Sequence, residues 1–97
     1  MKPVRFLEEA QYEILEQISY YERMQKGLGD RFRESVEMAT ALAATHPTLG
    51  SPWKLRTRRV FTKGFPFSLV YRIEPNQLVI FALAHFKRRP TYWHSRG

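Results

Sequence analysis

The segment from His85 to Gly97, HFKRRPTYWHSRG, concentrates side chains that can handle phosphate: three consecutive cations, a proline, two adjacent aromatics, a histidine and a further arginine. Guanidinium and ammonium groups hold phosphate oxygens, and Tyr92 and Trp93, beside Arg88, Arg89 and Arg96, can stack on nucleobases. Metal-free cleavage of RNA needs a base for the 2′-hydroxyl, an acid for the leaving oxygen and cations around the phosphate. Cations abound here, and the proton carriers within reach are His85, Tyr92 and His94. The same residues admit a structural reading. A Tyr-Trp pair after a proline can fold back over a sheet edge, with the tryptophan buried and its N–H bonded. Neighbours in an extended segment face opposite ways, so this reading suits Trp93 better than Tyr92. His85 is open in the same way, as an edge histidine or a proton-transfer group, and His46, just before Pro47, reads as a capping or surface residue.

Further cations lie upstream. Arg56 and Arg58 are expected on one side of a strand and Arg59 on the other, Lys63 on a turn, and Arg72 at the end of the next strand. Antiparallel neighbours would gather several of these, with His85, Lys87, Arg88 and Arg89, into one patch. Residues 1–50 carry six Lys/Arg and eight Asp/Glu, whereas residues 51–97 carry ten Lys/Arg and the single acid Glu74, a net of +9. Such one-signed charge repels itself and implies an acidic partner. No HxH or HExxH spacing, Gly-rich phosphate loop or serine elbow is present, so neither a metal nor another cofactor is expected.

The elements that must position these residues follow from periodicity. The chain of 97 residues reads as a single domain over 1–97, with 43% hydrophobic residues and no cysteine, hence no disulfide or thiolate metal site. Neither a signal-peptide run nor a membrane span is visible, so a cytoplasmic protein is expected. Val4 to Phe6 is extended. Leu7, Ala10, Ile14, Ile18, Tyr21, Met24 and Leu28 mark one face of a helix, opposite a solvated face with Glu9, Glu13, Glu16, Gln17 and Arg23. Gly27 and Gly29 reverse the chain, and Asp30 serves as N-cap or first-turn acid. A second helix carries Phe32, Val36, Ala39, Leu42 and Ala43 and ends at His46-Pro47. Strands are predicted at Leu55–Thr62, Phe67–Ile73 and Leu78–His85, joined by Lys63-Gly64-Phe65-Pro66 and Glu74-Pro75-Asn76-Gln77. LVIFALA is apolar enough to be covered on both faces. The expected fold is α+β, in the order β-α-α-β-β-β, with the helical hairpin on one face of an antiparallel sheet and the first strand at its edge.

Four segments, YYERMQKGLGDRF, HPTLGSPW, RRVFTKGFPFSLVYRI and VIFALAHFKRRPTYWHSR, resemble the RelE/ParE superfamily of bacterial toxins, and the similarity runs from Val4 to Arg96. The resemblance implies the toxin of a type II toxin–antitoxin (plasmid stabilisation) module, bound and silenced by a cognate acidic antitoxin in a hetero-oligomer. RelE-like members cut messenger RNA on the ribosome with basic residues plus a C-terminal tyrosine or histidine, and ParE-like members poison DNA gyrase. Carried over to this chain, Arg58, Arg59, Lys87, Arg88, Arg89 and Tyr92 match the basic and aromatic positions. Ser68 stands where the nucleases often carry a basic residue, and the GLGDRF turn is similar to ParE-like members. The resemblance therefore implies a ParE-like toxin, and the charge pattern sets Arg56, Arg58, Arg59, Lys63, Arg72, Lys87, Arg88 and Arg96 as its expected binding residues. The alternatives are a RelE-like nuclease using His85, Arg89 and Tyr92, and an inactive relative that only binds its partner. An amphipathic antitoxin segment is expected in a groove between the helical hairpin and the sheet edge.

Overall fold

Ala10, Ile14, Ile18 and Tyr21 recur at helical spacing, and they form the inward face of α1, Glu8–Met24. The α2 helix, Leu28–Thr45, starts after Gly27, whose φ of 89° is the left-handed conformation that the reversal requires. Asp30 is a first-turn acid rather than the N-cap. The cap is supplied from α1: the Glu22 carboxylate accepts hydrogen bonds from the N–H groups of Gly27 and Gly29. Gly29 lies inside α2, and a Cβ there would stand 2.7 Å from the Ile18 carbonyl, so its role is close helix contact. Two apolar residues of the predicted stripes face outward instead: Met24 and Leu42 are exposed.

The computed structural model describes residues 1–96. Five strands, β1 (Val4–Phe6), β2 (Ser51–Trp53), β3 (Thr57–Phe61), β4 (Phe67–Ile73) and β5 (Leu78–His85), form one sheet in the order β1-β5-β4-β3-β2. The expected α+β order is present, with β1 at an edge. That edge strand runs parallel to β5, with Val4 opposite Leu78, so the sheet is mixed. The short β2 was not predicted. The strand expected from Leu55 begins only at Thr57, because Leu55 and Arg56 take left-handed φ values of 59° and 62° at a tight corner. Left-handed backbone costs a non-glycine residue about 1–2 kcal/mol. Here the corner is tied by Thr57 Oγ1 donating to the Lys54 carbonyl and Arg72 Nη2 donating to the Leu55 carbonyl.

LVIFALA is buried on both faces as expected, through a bulge. Val70 pairs with Ala82 and Tyr71 with Ile80, so Phe81 has no partner across the ladder. Leu78, Ile80 and Leu83 consequently join the helices in one core, with Phe32, Val36, Leu69 and Tyr71. Val79, Phe81 and Ala82 face the other way and join Leu7, Val70 and Trp93 in a second core. The C-terminal turns thus cover part of the sheet's outer face.

Loop Pro47–Gly50 is fixed by a buried phenol. Tyr71 Oη donates to the Pro47 carbonyl at 2.7 Å and accepts from the Gly50 N–H at 3.1 Å. A Cβ on Gly50 would stand 2.2 Å from that oxygen, which explains why HPTLGSPW carries glycine there.

Candidate functional site

Alternation along β3 and β4 sorts the basic residues before any ligand is considered. Arg58 is opposite Tyr71 and lies on the helix side, where Nη1 donates to the carbonyls of Gly50 and Thr48. Arg59 is opposite Val70 on the outer face, its guanidinium 3.5 Å from the centroid of Trp53. Arg72 shares that face, 4.7 Å from the Phe81 ring. The expectation that Arg56 and Arg58 share a strand side fails, because Arg56 belongs to the left-handed corner.

The segment after β5 forms successive turns: Arg88 N–H donates to the His85 carbonyl, Tyr92 N–H to that of Arg89, and Arg96 N–H to that of Trp93. Trp93 is only 1% exposed and meets Phe81 edge to face, so its ring belongs to the core and cannot stack on a base. The folded-back reading is correct for Trp93 in placement, but its Nε1 finds no acceptor among the described residues.

Tyr92 is fixed as well. Its hydroxyl is 2.9 Å from Glu13 Oε2 and donates there, with the Leu83 carbonyl at 3.1 Å. Burial first, then the negative charge of Glu13, push the phenol well above its ordinary value. Arg96 grips the same carboxylate bidentately, Nη1 and Nη2 each at 2.9 Å from one of its oxygens. Hydrogen bonding to Glu13 raises the guanidinium further, so it stays charged. Glu13, expected on a solvated face, also accepts the Leu83 N–H at 3.1 Å, and is therefore the anchor of the C-terminal turns. No local pattern marks it, since its partners lie 70 or more positions away.

Among the predicted residues, the fold brings Arg59, His85, Arg88 and Arg89 to one narrow cleft of about 80 Å³, which Trp53, Ser68 and Trp93 also line. Arg88 forms its rim, stacked 3.8 Å from the centroid of Tyr92. His85 packs against Phe67, and its Nδ1 accepts the Lys87 N–H at 3.0 Å. The other predicted residues stay apart. Arg56 and Arg58 lie by Pro52 and Ile73, Lys63 faces α2, Lys87 and His94 are exposed, and Arg96 is neutralised by Glu13. The expected single patch is therefore narrower than ten cations. Its core is the guanidiniums of Arg59, Arg88 and Arg89. Ion pairs among the described residues are Arg33–Asp30 and Arg96–Glu13, so these three have no counter-charge among the described residues. Trp53, the platform under Arg59, was not singled out from the sequence.

A second surface is apolar. Val4 and Phe6 of β1, Ile14, Leu15 and Ile18 of α1, and Val36, Thr40 and Ala44 of α2 line a groove of about 660 Å³. Leu15 is 65% exposed in it, although this is a large aliphatic side chain. The sheet edge beside the groove is β1. No group of His, Asp or Glu among the described residues is arranged to hold a metal ion, and no helix is long and apolar enough to cross a membrane.

Residues 4–90 match the model of a family described as the ParE toxin of the type II toxin–antitoxin system parDE. A solved structure, the chromosomal ParDE TA system from P. aeruginosa, superposes with a TM-score of 0.75 at 16% identity, covering 88% of this chain and 96% of that one. That likeness establishes the fold. No match to a curated protein was found. The helical hairpin, the mixed sheet and the family match over most of the chain agree, and the chain belongs to the ParE toxin family of the RelE/ParE superfamily, the toxins of type II toxin–antitoxin systems.

Proposed function

We propose that the chain is a ParE-like toxin that acts by binding DNA gyrase rather than by cutting RNA. In this reading an acidic antitoxin silences it in a cytoplasmic hetero-oligomer, as part of a module that stabilises the replicon carrying it. The observation that carries the choice of mechanism is the commitment of Tyr92. Its hydroxyl is held by Glu13 and the Leu83 carbonyl and its pKa is raised, which suits neither a general base nor a general acid at neutral pH. Ser68, buried beside the cleft, supports the same side. The RelE-like alternative retains one supporting observation: His85 and Arg89 line the same cleft. For the antitoxin, the groove over α1, α2 and β1 supports a segment with an apolar face, and the adjacent edge strand offers unpaired backbone groups for strand addition.

Purified toxin is expected to inhibit gyrase supercoiling and to leave ribosome-bound messages intact. Cleavage mapped by primer extension to the ribosomal A site, and lost in Arg89→Ala, would replace this mechanism with the nuclease one. Normal growth after induction without antitoxin would support the inactive relative.

A further inference from the structure

We infer that the cleft between β3, β5 and the C-terminal turns is a receptor for a single carboxylate, carried by an aspartate or glutamate side chain of a partner protein. Two of its lining residues hold buried donors with no acceptor among the described residues, Nε of Arg59 and Nε1 of Trp93, the latter on a side chain only 1% exposed; a third such donor, Nε of Arg72, lies outside the cleft. Buried N–H groups in native proteins nearly always have an acceptor, so two orphans on residues that line one cleft point to an acceptor from outside the described residues. Charge specifies that acceptor. Arg59, Arg88 and Arg89 border the cleft and no Asp or Glu lines it. Arg59 is held flat on Trp53, which fixes the plane of its guanidinium before a ligand arrives, and such a fork matches a planar carboxylate.

Shape favours a slender anion, because the cleft is narrow, at about 80 Å³. A carboxylate on a thin methylene stem enters such a recess. A phosphodiester brings a sugar on either side and does not, and a nucleobase finds Trp93 already packed on Phe81. An acidic protein segment is therefore favoured over nucleic acid. The inference does not depend on whether gyrase is the target or on where the apolar groove is covered.

The two indole N–H groups, Trp53 and Trp93, give separate reporters in ¹H–¹⁵N spectra of the full chain, assigned with Trp53→Phe. Titration with N-acetyl-glutamate amide at constant ionic strength is expected to move the Trp93 indole resonance saturably. Arg59→Gln, at a half-exposed position, should weaken that titration at least tenfold while leaving the amide dispersion unchanged. Saturation by adenosine 5′-monophosphate or inorganic phosphate at lower concentration than by the glutamate probe overturns the carboxylate assignment in favour of phosphate. An indole resonance unmoved by every probe, or an Arg59→Gln titration like that of the parent, overturns the receptor itself.

Discussion

Replacing Glu13 by glutamine tests whether the C-terminal turns are held to α1 by charge. The carboxylate accepts four hydrogen bonds: the Leu83 N–H at 3.1 Å, and the Tyr92 hydroxyl and two Arg96 nitrogens at 2.9 Å each. The side chains of Glu13 and Arg96 are 19% and 15% exposed, so water screens the pair only partly. Removing one partner of a buried pair costs about 3–5 kcal/mol, and partial exposure places this pair at the lower end. Glutamine keeps the shape and one acceptor oxygen, but turns an amide NH₂ toward donors. The expected loss is about 2–3 kcal/mol. In a domain of this size 1 kcal/mol moves Tm by roughly 4–8 °C, so circular dichroism should show a fall of about 10–20 °C. A double-mutant cycle with Arg96→Met should give a coupling of at least about 1 kcal/mol. A Glu13→Gln melt within about 3 °C of the parent, or a coupling near zero, would refute the anchoring argument.

Four further outcomes follow from the same geometry. Gly50→Ala should cost about 2–4 kcal/mol in urea unfolding, because its Cβ displaces the Tyr71 hydroxyl from two buried hydrogen bonds. Leu15→Arg, at an exposed position in the apolar groove, should weaken antitoxin binding at least tenfold by calorimetry with a Tm change of only about 4 °C. Tyr92 has a folded pKa raised above its ordinary 10.0, so its contribution is complete below about pH 10 and is lost as pH climbs beyond. Unfolding free energy should fall in that alkaline range, and Tyr92→Phe should flatten the fall. Affinity for an acidic antitoxin should decrease as salt rises, since the net charge is +7 and exposed pairs are screened; salt-independent binding would assign the contact to the apolar groove.

The parts of this fold readable in the sequence are those set by neighbours in the chain. Ala10, Ile14 and Ile18 announce α1, and the Glu74–Gln77 reversal announces the β4–β5 hairpin. What stayed hidden depends on distant partners. The bulge at Phe81 depends on the fit between β4 and β5, and the left-handed pair Leu55-Arg56 on an arginine 17 positions from Leu55. The site divides in the same way. Basic residue types were visible, but alternation, the corner and the Glu13 anchor decide that Arg59, Arg88 and Arg89 share a cleft while Arg58, Lys63 and Arg96 do not. Met24 and Leu42 were misplaced because helical period alone cannot tell a core stripe from an apolar outer surface.

Pairing of β1 with β5 has a consequence for biosynthesis. Val4 finds its ladder partner at Leu78 and Glu13 its counter-ion at Arg96, so the first strand and first helix cannot reach their final setting while the second half is still being translated. A toxin fold completed so late leaves the apolar faces of its helical hairpin without their sheet partner for most of synthesis.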